Sequence, residues 1–219
     1  MLDAGGTIMA DTLTFYTNPM SRGRIVRWML EEVGQPYETV VLDYATTMKA
    51  PEYLRINPMG KVPAIKHGDA VVTEAAAICA YLADAFPQAG LAPPPGSKER
   101  GPYYRWLFYG AGPVEAMASN HALGVTIPDD KRGMVGYGSR EAVMDTLENA
   151  VSAGDYLAGN KFTAADLYVG AQIGWGLQFG TIEKRPAFEG YAARVLSRPA
   201  AIRAREIDDA LIAAAKKQA

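Results

Sequence analysis

The sequence has a single cysteine, Cys79, and two histidines, His67 and His121. One thiol forms no internal disulfide, so a reducing, cytoplasmic setting is the default expectation. Cys79 sits in the apolar run Ile78-Cys79-Ala80-Tyr81-Leu82 and reads as a buried small hydrophobe. Neither histidine has a partner at metal-ligand or triad spacing, which argues against a metal site and against Ser–His chemistry. Phosphate-loop glycines are missing as well. So is an excess of charge: 22 basic against 24 acidic residues leave a net −2, favouring neither nucleic acid nor an anionic membrane. No apolar run approaches the ~20 residues needed to span a bilayer. Residues 1–11 lack the basic start and apolar core of a signal peptide. They read as a disordered lead-in, with Met9 an alternative start. Internal repeats and low-complexity tracts are absent.

What remains is an ordinary globular composition, 49% hydrophobic over 219 residues, enough for a sizeable core in one or two domains. The chain is organised around residues 13–77. A β-rich start, Leu13-Thr14-Phe15-Tyr16, turns at Asn18-Pro19 into Ser21-Arg22-Gly23-Arg24. Ile25, Val26, Met29, Leu30 and Val33 then recur at helical spacing, and Gly34 fits the left-handed position that ends such a helix. Residues 37–42 form a second β-rich run, so the unit predicts a right-handed strand–helix–strand crossover with parallel strands. Asn57-Pro58-Met59-Gly60-Lys61-Val62-Pro63 leads into a hairpin whose tip is His67-Gly68-Asp69, and Glu74 opens another helix.

The Pro/Gly stretch at 88–96 is the natural boundary. It separates an α/β domain at 12–89 from an all-helical domain at 98–219, with a linker at 90–97. In the second domain Pro113 is expected to kink a helix over 98–123 near Gly110–Gly112. Residues 124–138 read as a loop whose interior a short helical turn could occupy. Residues 139–153 form an amphipathic helix with Val143, Leu147 and Val151 on one stripe. Residues 163–179 are apolar nearly all round, as befits an interior helix, with Gly170, Gly174 and Gly176 permitting close packing. Thr163 and Asp166 stand at capping-box spacing, and Phe162 and Leu167 at that of a hydrophobic staple. Helices over 186–196 and from 199 onward complete the chain, with residues 216–219 expected to fray.

Three pieces carry a resemblance in order: the helix-opening Ser21-Arg22-Gly23-Arg24, then Asn57-Pro58…Lys61-Val62-Pro63, then Glu74 at a helix start. Together with Tyr156-Leu157-Ala158-Gly159 and Phe162-Thr163-Ala164-Ala165-Asp166, this pattern resembles the glutathione S-transferase family, in particular its bacterial, serine-type, theta- and zeta-like members. The resemblance implies a thioredoxin-like α/β domain plus an all-α domain, a homodimer, and glutathione as co-substrate without a metal. It implies a detoxifying transferase that joins glutathione to a small hydrophobic electrophile. A glutathione-dependent disulfide or peroxide reductase and a non-catalytic binding protein of the same fold are the alternatives.

The resemblance also assigns residues. A free thiol, with a pKa near ~8.5, is only a few per cent ionised at neutral pH, so the family needs a donor that favours the thiolate. Ser21, at a helix start five residues after Tyr16, takes that role, with Tyr16 and Asn18 as rival donors. Read alone, Ser21 is an ordinary helix cap, and Arg22 and Arg24 are solvated or structurally paired. Val62-Pro63 matches the family's cis-proline turn, which meets the cysteinyl backbone of glutathione. Lys61 matches the group that meets the glycyl carboxylate, and Glu74 the acid that helps hold the γ-glutamyl end. Ala75 departs from the pattern, which has Ser or Thr there, but the N–H groups of Ala75 and Ala76 still form a helix-start anion site. Tyr109, Met117, Asn120 and Trp175 are the candidates for the electrophile pocket between the domains.

Overall fold

The computed structural model describes residues 12–218, so the lead-in expected at 1–11 lies outside the described residues. The first strand β1 (Leu13–Thr17) feeds α1 (Gly23–Val33), which Gly34 ends in the left-handed conformation, φ 71°, its N–H bonded to the Leu30 carbonyl at 2.9 Å. The chain returns as β2 (Glu38–Val41), parallel to β1 with Phe15 opposite Thr39, as the crossover requires. A short helix α2 (Pro51–Leu54) precedes the antiparallel hairpin of β3 (Ala64–His67) and β4 (Ala70–Thr73), turned by Gly68-Asp69. The sheet order is β2-β1-β3-β4, and α3 (Ala75–Ala85) follows the hairpin.

The alternation in β1 explains the two sides of this sheet. Leu13, Phe15 and Thr17 are buried on one face, where Phe15 joins Ile25, Met29, Ile78 and Leu82 in the main core. Tyr16, on the other face, packs with Tyr53, Leu42, Met48 and Ala64 in a smaller cluster, its ring centroid 5.6 Å from that of Tyr53. Cys79 is fully buried in the main core, and the apolar surroundings push its thiol pKa far up, as expected of an inert structural cysteine. His67 bonds the Tyr81 hydroxyl at 3.0 Å.

The remainder is helical. The expected kink at Pro113 is a single π-turn at Gly110–Val114, which separates α4 (Arg100–Tyr109) from α5 (Glu115–Ala122). Proline has no N–H for the ladder, and the wide turn absorbs that loss. The loop that follows contains a 3₁₀ segment, Asp129–Met134. Then come α6 (Arg140–Ser152), capped by the Ser139 hydroxyl, α7 (Ala164–Phe179), α8 (Pro186–Leu196) and α9 (Pro199–Gln218). Where fraying is expected, α9 stays helical through Lys216 and Lys217. The glycines of α7 are there for contact: a Cβ on Gly170 would stand 2.5 Å from Val195, so α7 and α8 meet only because none is present.

Asp166 is the hub of the helical part. Its carboxylate accepts from Thr163 N–H at 2.9 Å, closing the capping box, from Leu157 N–H at 2.7 Å, and from the Tyr191 hydroxyl at 2.7 Å. Burial raises its pKa against the pull of these donors. Phe162 and Leu167 share the main core, and the Phe162 ring also reaches Trp28 of α1, with centroids 6.1 Å apart, under the Arg198 guanidinium.

Four ion pairs join α1 to the end of the chain, running antiparallel: Arg24–Asp209 at 2.6 Å, Arg27–Asp208 at 2.8 Å, Glu31–Arg203 at 3.3 Å and Glu32–Arg198 at 2.6 Å. Arg27 and Asp208 are both fully buried. Arg27 also donates to the hydroxyls of Tyr37 at 3.1 Å and Thr39 at 3.2 Å, and its guanidinium lies 5.1 Å from the Phe15 ring centroid.

Two stability outcomes follow from these bonds. Replacing Asp166 by Ala removes a cap worth ~1 kcal/mol and leaves buried donors without partners at ~1–3 kcal/mol each, so urea unfolding is expected to show a loss of at least about 3 kcal/mol. Arg27→Ala is expected to cost about 3–5 kcal/mol because it strands a buried carboxylate, while Arg27→Met combined with Asp208→Leu recovers most of that loss.

Candidate active site

The turn after β1 is built by Asn18. Its side-chain amide donates to the Leu42 carbonyl at 2.8 Å, while its Oδ1 accepts the Met20 N–H at 2.9 Å. Its backbone carbonyl receives both the N–H of Ser21 at 3.0 Å and the Ser21 hydroxyl at 2.7 Å. The same Ser21 Oγ accepts the Gly23 N–H at 2.9 Å, satisfying one of the unpaired donors that start α1. Ser21 is therefore the helix cap that its residue type suggests, and it is half-buried at the edge of a cavity. Thr17 lies beneath it, fully buried, with its hydroxyl unpartnered among the described residues.

The second wall comes from residues 57–63. Asn57 and Tyr53 both donate to the Lys61 carbonyl, the former at 2.8 Å, and the Val62–Pro63 peptide is cis. The β3 ladder begins at Ala64, so the backbone of Val62 lies outside it. Glu74 precedes α3 at φ 64°, the one non-glycine residue at positive φ among those described, and makes no side-chain cap bond. Such a conformation costs about 1–3 kcal/mol, and it is the kind of strain that collects at ligand sites. The N–H groups of Ala75 and Ala76 open α3 behind it.

Between these walls and the helical part lies a cavity of about 720 Å³. Ser21, Lys61 and Val62 line one side, and Trp175, Leu196 and Arg205 are among the residues of the other. Tyr16, Asn18, Pro63, Glu74 and Ala75 do not line it. Arg22, Trp175 and Phe179 border both it and a smaller hollow of about 180 Å³. Arg22 is held there by a two-point pair with Glu115, the first residue after the π-turn, and Gln172 donates to the same carboxylate at 3.1 Å. Arg24 donates to the Pro19 carbonyl at 3.3 Å and to Asp209, so both arginines of the motif are structural partners across the cleft.

The N-terminal domain model of the glutathione S-transferases matches residues 11–84, and the C-terminal domain model matches residues 138–199. Glutathione S-transferase F10 of Arabidopsis thaliana is 31% identical over 166 residues, covering 71% of this chain and 76% of that protein. The chain belongs to the glutathione S-transferase family. Glutathione S-transferase GST-4.5 of Xanthomonas campestris is 28% identical over 195 residues, 84% of this chain and 93% of its own length. The disulfide-bond oxidoreductase YfcG of Escherichia coli is 28% identical over 203 residues, 86% and 92% of the two chains. Among solved structures, the glutathione transferase URE2P6 of Phanerochaete chrysosporium in complex with oxidised glutathione superposes with TM-score 0.74 at 28% identity, over 91% of this chain and 97% of that one.

Of the four residues considered for the electrophile pocket of this transferase, Trp175 alone borders the cavities. Tyr109 donates to the Val143 carbonyl at 3.3 Å, Met117 is buried against Arg140, and Asn120 donates to the Tyr137 hydroxyl at 2.9 Å. The far wall comes from α7, with Ala171, Gly174, Trp175, Gln178 and Phe179, and from α9, with Ala201, Ala204, Arg205 and Ile212 on one stripe. Their spacing is visible in the sequence; the surface they face is not.

Gly23 is the tightest point beside the cavity. A Cβ there would stand 2.0 Å from the Thr17 hydroxyl and 3.0 Å from Ser21 Oγ. Helix propensity alone predicts a gain of ~0.5–1 kcal/mol for Gly23→Ala. The packing predicts the opposite sign, a loss of about 1–3 kcal/mol with displacement of the Ser21 hydroxyl. A melting temperature at or above wild type would contradict this geometry.

Proposed function

We propose that the cavity seats glutathione along its Ser21–Lys61–Val62 wall and that Ser21 donates a hydrogen bond to the thiolate, which attacks a small electrophile. The single observation that carries this reading is the hydroxyl of Ser21 standing at the start of α1, on the cavity edge, with Lys61 and Val62 lining the same cavity. The sulfur–carbon bond forms as the leaving group departs with its electron pair, and the thiol proton goes to water. Lys61, exposed and unpaired among the described residues, receives the glycyl carboxylate. Val62 pairs with the cysteinyl backbone, and Glu74 with the amides of Ala75 and Ala76 holds the γ-glutamyl end.

The disulfide-reductase reading has a relative in its favour, the Escherichia coli oxidoreductase. It requires Thr17 or Asn18 to face the sulfur. Thr17 is wholly buried and the Asn18 amide is spent on Leu42 and Met20, which favours Ser21 and conjugation. We further propose a homodimer, supported by exposed Val71 on β4 and exposed Tyr104 and Phe108 on α4. A cytoplasmic location is supported by the lone buried cysteine, and a detoxifying role by the likeness to the glutathione S-transferases.

The test is Ser21→Ala assayed with a chloronitrobenzene and with 2-hydroxyethyl disulfide. A bond to a charged partner is worth ~1.5–3 kcal/mol, so conjugation is expected to fall about 10- to 150-fold. The lost donor raises the bound thiol's pKa, so the rate–pH profile shifts towards higher pH. Undiminished conjugation by the variant would remove the role of Ser21. Absence of heat on titrating glutathione to millimolar concentration would remove the transferase reading itself.

A further inference from the structure

We propose that the electrophile taken by this cavity carries a carboxylate, and that Arg205 on α9 receives it. This rests on the conjugation reading above and adds the class of the second substrate.

The observation is an imbalance of charge within a chain of net charge −2. Four cationic side chains line the cavity, Arg22, Arg24, Lys61 and Arg205, against one acid, Asp209. Two of the four are neutralised within the fold: Glu115 pairs with Arg22, and Asp209 pairs with Arg24. Lys61 faces the glutathione wall. Arg205 stands on the opposite wall and makes no hydrogen bond or ion pair to any described residue.

Its isolation has a structural cause. A helical arginine ordinarily finds a carboxylate three or four positions along. For Arg205 those positions are Asp208 and Asp209, and α1 takes both: Arg27 holds Asp208, buried, and Arg24 holds Asp209. The guanidinium is thus left facing a cavity whose neighbouring surface is apolar and aromatic, with Ile212, Leu196 and Trp175. A planar fork of donors beside an apolar slot suits a flat organic acid, the ring on the hydrophobic surface and the carboxylate on the fork. Solvent screening keeps the effect moderate, since Arg205 is exposed.

Trp28 and Trp175 line the cavity, so binding of a nitroaromatic reads out as quenched tryptophan fluorescence. The probes are dinitrobenzoate and the matching dinitrobenzamide, alike in size and without a leaving group. Wild type is expected to bind the benzoate about tenfold more tightly than the amide. Arg205→Gln brings that ratio close to one, and Arg205→Lys retains part of it, while glutathione affinity serves as the internal control. Equal binding of both probes by wild type overturns the proposal. So does a preference that survives in Arg205→Gln, or a matching loss of glutathione affinity, which would assign the guanidinium to the tripeptide.

In turnover with the ring-chlorinated pair, carbon–sulfur bond formation expels chloride, and the kcat/KM ratio of acid to amide follows the same order across the variants. If neither chlorinated probe reacts while the carboxylate preference persists, the conjugation reading fails and the Arg205 site stands. If both react without a preference, the Arg205 site alone fails.

Discussion

The structure depends most on Arg27 of α1 meeting Asp208 of α9 inside the protein. Taking both charges out of water costs several kcal/mol, and their attraction returns that only when the remaining polar atoms are also satisfied. Here they are not entirely satisfied: Arg27 Nη2 and Asp208 Oδ2 have no partner among the described residues. The pair therefore contributes register more than stability. Sliding α9 by one turn would leave a guanidinium and a carboxylate buried apart, whereas a purely apolar seam would tolerate the slip. Because the other three pairs along α1 agree with that register, α9 presents the same residues to the cavity every time.

α1 consequently serves both halves of the molecule. Its first N–H is held by Ser21 just before it, one flank packs on β1 and α3, and another carries the ion pairs to the end of the chain. The cavity lies where these surfaces meet. Its shape is set by contacts between residues far apart in sequence, and its chemistry by a turn of a few residues.

That division explains what was legible in the sequence. The crossover, the Gly34 stop, the hairpin and the Thr163–Asp166 box all rest on neighbours within a few positions, and each is found where residue type and spacing place it. Glu74 stands at the expected helix start, but its positive φ has no marker in the sequence, since glycine is the usual occupant. The partners of Arg22 and Arg24 lie 93 and 185 positions away, beyond any local pattern. Tyr109, Met117 and Asn120 show the same limit. Helical periodicity reports that a face is covered but not by what, and these side chains turn towards α6 and the loop before it instead of the cleft.

Ser21 unites the bland and the chemical reading of one residue. Its hydroxyl already donates to the Asn18 carbonyl, so any sulfur ligand must compete with that bond. A neutral acceptor is worth ~0.5–1.5 kcal/mol and a charged one ~1.5–3 kcal/mol, so a thiolate wins the proton by about 1 kcal/mol while a neutral thiol, a weak acceptor, does not. The Gly23 N–H bond, which uses the oxygen as acceptor, survives either arrangement and keeps the oxygen in place as the hydroxyl proton turns. A donor that leaves its backbone partner only for an anion favours the ionised sulfur twice, by bonding the thiolate and by declining the thiol. The helix cap is thus the means by which the hydroxyl selects the reactive form of the sulfur.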